Sequence, residues 1–75
     1  MNNKRRKAIM EISSNIESIA QHLRDILSEE QDAFDNMPDG LQCTDRGIES
    51  EEAQESIETS IESLEDAIMA LEEIC

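Results

Sequence analysis

Large apolar residues fall in two runs at alternating three- and four-residue spacing, separated by a helix-breaking segment. The first run is Ile9, Ile12, Ile16, Ile19, Leu23 and Ile26. The second is Ile57, Ile61, Leu64, Ile68 and Leu71. Only a helix gathers residues so spaced onto one face, because a strand sends alternate side chains to opposite sides. The spacing therefore predicts an all-α chain built on heptad seams.

The first run carries a second stripe, Ala20, Leu27 and Phe34, one position after Ile19, Ile26 and Ala33. Its apolar face is wider than a two-stranded seam needs and suits contact with at least two neighbours. Glu30 interrupts the seam, and Ala33 and Phe34 are placed to take over the contact. Ala53, Ala67 and Ile74 flank the second seam.

Between the runs stands DNMPDGLQCTDRG, residues 35–47. Pro38 lacks a backbone donor and disfavours helical geometry at Met37. Asp39-Gly40 is a turn signal, and Gly47 weakens helix continuation. The expected layout is helix 1 over about 4–35, a connection over 36–47 and helix 2 over about 48–74. Thr44 or Ser50 serves as the second N-cap. Met37 and Leu41 are expected to fold over the open end.

Two long antiparallel helices with a short connection make a helical hairpin. A hairpin cannot cover a stripe three positions wide, and chains of 75 residues usually need a staple or a partner. The expectation is a homodimer forming a four-helix bundle. The self-association surface is assigned to Ile16, Ile19, Leu23, Ile26, Leu27, Phe34, Ile57, Ile61, Leu64 and Ile68.

Charge limits the function classes. Nineteen acids oppose six bases, a net charge of −13. Direct nucleic-acid binding of the ordinary basic kind is not expected. Lys4-Arg5-Arg6-Lys7 is the one basic cluster, and its expected place is beside Glu72, Glu73 and the terminal carboxylate, where it offsets carboxylates at the negative end of a helix dipole. Residues 47–75 hold ten acids and no Lys or Arg. The bland reading is a solvated face that keeps a small bundle soluble. The sharper one is an acidic surface of Glu51, Glu55, Glu58, Glu62 and Glu65 for a basic, DNA-binding host protein. Duplex DNA presents one charge per about 1.7 Å of axis, denser than one such helix but approached by two.

Catalytic and metal chemistry lack a constellation. His22 is the only histidine, and Ile19 stands where a Glu-x-x-His pair would need its glutamate. Asp35, Asp39 and Gly40 fit a calcium loop at its first, fifth and sixth positions, but Met37 and Arg46 occupy its third and twelfth. Cys43 and Cys75 sit at opposite ends of the expected hairpin, too far apart to bridge. No enzyme activity and no cofactor are expected. No continuous apolar h-region follows the basic start, and no run reaches a membrane span, so no membrane association is expected and the expected place is the cytoplasm.

The stretch Phe34-Asp35-Asn36-Met37-Pro38 with Leu41, followed by Leu64-Glu65-Asp66-Ala67-Ile68, resembles short acidic helical-hairpin proteins of unknown function encoded by bacteriophages and prophages of Gram-positive bacteria. The likeness covers most of the chain. It implies a phage setting inside a bacterial host cell and carries over no functional residue.

Overall fold

The computed structural model describes residues 1–74, so the expectation for Cys75 lies outside the described residues. Three helices follow in order: α1 (Asn3–Asp35), α2 (Asp39–Gln42) and α3 (Asp45–Glu72). No strand occurs among the described residues. The molecule is a long helix pair with extents of 58 × 14 × 13 Å.

Helix α1 starts one residue before the expected position because Asn2 caps it. The Asn2 Oδ1 accepts from the Arg5 backbone N–H at 2.9 Å, satisfying one of the donors a helix start leaves open. At the other end the Gln42 side-chain amide donates to the carbonyls of Phe34 (3.2 Å) and Met37 (3.3 Å). The connection thus supplies a cap for α1 from eight residues downstream.

Two expectations about the connection need correction. The second long helix begins at Asp45, directly after the Thr44 cap candidate and three residues before the approximate start at 48, and includes Gly47 in its first turn. Gly47 is buried, and a Cβ there would overlap the Gln42 carbonyl oxygen and lie 2.6 Å from its carbon. The glycine marks a close backbone approach, and its φ is not positive. Thr44 holds the N-cap position, but its hydroxyl donates to the Leu41 carbonyl and leaves the helix start without a side-chain cap. Ser50 lies inside α3 and caps nothing. Met37 is half-buried, while Leu41 on the short α2 stays 45% exposed and does not close the end.

The contact between α1 and α3 follows one seam on each helix. On α1 the buried or half-buried positions are Ile9, Ser13, Ile16, Ala20, Leu23, Leu27, Glu30, Phe34 and Met37, with Arg24 beside them. On α3 they are Gly47, Ser50, Gln54, Ile57, Ile61, Leu64, Ile68 and Leu71, with Ala67 beside them. Met10 and Ser13 share a shallow groove with Leu71 and Glu72, and Glu30 and Ala33 share another with Ser50 and Ala53. The end of α3 therefore meets the early part of α1, and its start meets the late part.

The α1 seam is displaced from the expected one. Ile12, Ile19 and Ile26 are 51%, 55% and 40% exposed, and Ser13, Ala20 and Leu27 point inward instead. The line 12-19-26 carries three isoleucines but runs out at Ala33. The inward line is small at Ser13 and Ala20 and bulky at Leu27 and Phe34, so its bulk lies at the connection end beside Met37.

Glu30 does not give up its place to Ala33. It stays on the seam, and its Oε1 accepts from the Ser50 hydroxyl at 2.7 Å, while Gln54 Nε2 donates to the same Ser50 oxygen at 3.3 Å. Polar residues on the two helices thus meet at one level. Ser50 is 4% exposed, and no buried side-chain polar atom among the described residues lacks a partner. Such a matched polar level favours one axial alignment, because sliding either helix would leave these groups unpaired.

The terminal carboxylate expected beside the basic cluster belongs to Cys75 and lies outside the described residues. Glu72 lines a shallow groove with Met10, Ser13, Ser14 and Glu17, one to three turns further along α1 than Lys7. Residues 1–8 are all exposed.

Candidate interaction surfaces

The displaced seam gives the helix pair two unlike flanks. The first flank carries Met10, Glu17 and Arg24 from α1 beside Glu51, Glu58, Glu65 and Glu72 from α3. Their common side follows from the Arg24–Glu65 ion pair at 2.7 Å and from the Met10–Glu17–Glu72 groove. Both partners of that ion pair are about half exposed, 40% and 48% by side chain, so it contributes no more than ~1 kcal/mol.

The second flank carries Ile12, Ile19, Ile26 and Ala33, each seven residues from the next, and from α3 Ala53, Ser60, Ala67 and Ile74 at the same interval. Ala33 and Ala53 line one groove, which sets both heptad lines on the same side of the pair. Seven residues make nearly two helical turns, so each line runs almost parallel to its helix axis. This flank is an apolar strip interrupted by Ser60 and bordered at one end by Arg46.

The ten residues assigned to self-association from sequence divide between these environments. Ile61 and Ile68 are buried, and Ile16, Leu23, Leu27, Phe34, Ile57 and Leu64 are half-buried along the contact between α1 and α3. Ile19 and Ile26 alone lie on the outer apolar flank. From sequence, Ile12 belongs to the first seam, Ala33 takes over the contact at Glu30 and Ile74 flanks the second seam; all three fall on the outer flank and are exposed. The signal that could have separated them is bulk at the far end of each stripe, Ala33 on one and Phe34 on the other.

The acidic set is gathered as one strip. Glu51, Glu55, Glu58, Glu62 and Glu65 recur at four-three-four-three spacing on α3, and all are exposed. Glu65 is held by Arg24; the strip otherwise faces outward, away from the apolar flank.

His22 and Cys43 are exposed. Among the described residues no group of three or more His, Cys, Asp or Glu is arranged to hold a metal ion. No helix among them is long and apolar enough to cross a membrane.

Neither known protein families, curated proteins nor solved structures give a match to this chain. Function must then be argued from the surfaces themselves.

Proposed function

We propose that this chain is a non-enzymatic interaction protein whose helical hairpin pairs with a second copy into a four-helix bundle. The observation that carries the reading is the outer line of Ile12, Ile19 and Ile26, each 40% or more exposed on one flank. Single exposed isoleucines are ordinary, but three in line beside Ala33, Ala53 and Ile74 make a contiguous patch of the kind that marks an interface. Surface area supports the same conclusion. The chain exposes 5701 Å², while compact monomers of this mass expose about 4,700 Å². The excess is close to the roughly 800 Å² per partner that a standard interface covers. The resemblance to phage and prophage hairpin proteins sets the proposed action in the cytoplasm of a bacterial host.

Sedimentation equilibrium from low to high micromolar concentration tests this. The expected result is twice the 8.5 kDa chain mass at high concentration, with helicity falling on dilution. A folded, concentration-independent monomer would refute it.

A second reading is favoured by the acidic strip. Five exposed carboxylates in register, on a face separate from the apolar flank, suit a basic groove that normally holds DNA, and a dimer would present two such strips. In this reading the protein blocks a DNA-binding host protein, as a DNA mimic or anti-defence inhibitor. Reversing Glu58, Glu62 and Glu65 to lysine should then abolish capture of a basic host protein from nuclease-treated lysate while leaving the helical circular dichroism intact. Capture that survives all three reversals rules the reading out.

A further inference from the structure

The two ends of the rod differ in charge and in bulk, and the apolar flank inherits both differences. At the end carrying the chain start stand the exposed Lys4, Arg5, Arg6 and Lys7, and the nearby acids are Glu11, Glu72 and Glu73. At the end carrying the connection, residues 29–52 hold nine carboxylates against the single Arg46. Bulk follows the same division. The apolar flank is raised by Ile12 and Ile74 toward the first end and by Ile19 and Ile26 in its middle, and toward the second end it sinks to Ala33 and Ala53, which line a shallow groove with Glu30 and Ser50.

We infer that the second copy docks on this flank in the opposite orientation, so that each rod's basic end lies over its partner's connection. The inference rests on the self-association proposed above and adds the face and the direction. Opposed rods set isoleucines over the alanine groove, which lets the surfaces interdigitate at the density of a protein interior. Rods in the same orientation would stack bulk on bulk at one end and leave a void at the other. Charge acts in the same direction. Same-oriented rods press two strongly acidic connections together, and like charges placed opposite each other disfavour a pairing, whereas opposed rods set lysine and arginine against those acids.

The exposed thiol of Cys43 stands at the connection and reports the orientation directly. In a Cys75→Ser background a nitroxide spin label attaches to Cys43 alone, and double electron–electron resonance measures the distance between labels in the dimer. Opposed rods place the two labels near opposite ends of the assembly, at a distance close to the 58 Å length of one rod. A label separation of less than half that length would mean that the connections lie together and would overturn the orientation while leaving dimerisation standing. A labelled protein that sediments as a monomer, with no dipolar signal, would instead remove the self-association on which the inference rests.

Discussion

Replacing Gly47 with alanine is expected to lower the melting temperature by roughly 5–15 °C, whereas Gly40→Ala leaves it unchanged or slightly raised. Both positions are helical, so alanine gains about 1 kcal/mol of helix propensity at either. The difference is space. Nothing lies within 4 Å of a Cβ at Gly40, but a Cβ at Gly47 overlaps the Gln42 backbone. A flexible side chain could step aside, and a carbonyl fixed in a tight connection cannot. Overpacking of this kind costs about 1–3 kcal/mol and occasionally more, which outweighs the propensity gain. The damage should spread, because shifting Gln42 also removes the amide that caps the end of α1 at Phe34 and Met37. Thermal melts by circular dichroism at equal protein concentration check this, with Gly40→Ala as the matched control. Equal melting temperatures for the two variants would show that the close approach at Gly47 does not govern stability.

The double substitution Ile19→Gln with Ile26→Gln should weaken dimerisation by about a thousandfold. Full burial of an isoleucine is worth ~1.5–3 kcal/mol, and these two are already about half covered within their own chain. Roughly 1 kcal/mol therefore remains for each to contribute at a dimer interface, or about 4 kcal/mol over two residues in two copies. Glutamine is as good a helix former as isoleucine or better and adds no charge, so the change isolates apolar contact from helix propensity and from electrostatic repulsion. Sedimentation equilibrium reads the dissociation constant. The same substitution at inward-facing Leu23 and Leu27 is a contrasting variant that should cost the fold of the single chain instead. A dimer constant unchanged by the Ile19 and Ile26 changes would place the interface elsewhere and leave the apolar flank without a role.

Much of the architecture was legible from spacing. Apolar residues at alternating intervals of three and four leave little choice but helix, and Pro38 with Asp39-Gly40 leaves little choice of where α1 stops. The α3 seam was readable because Ile57, Ile61, Leu64, Ile68 and Leu71 offer only one apolar line. Helix α1 offers two, separated by a single residue, and both satisfy the same spacing rule. Sequence periodicity cannot rank them, since each is an equally good stripe on an isolated helix. Only contact with α3 over the full length decides, and it favours the line that ends in Phe34 and Met37.

The same division explains the polar residues. From sequence, Glu30 reads as a break in a seam and Ser50 as a cap candidate, because a lone polar residue carries no mark of its partner. Twenty residues separate them in the chain, and a hydrogen bond joins them across the helix pair. Gly47 reads as a helix breaker because glycine is a poor helix former in general. Its use here depends on the position of the Gln42 carbonyl, which no local pattern encodes. The sequence by itself determined helix, break and acidity, since these follow from local propensity and residue counts. Tertiary structure alone decided which isoleucines turn outward, because that choice is settled by what each stripe meets when the two helices come together.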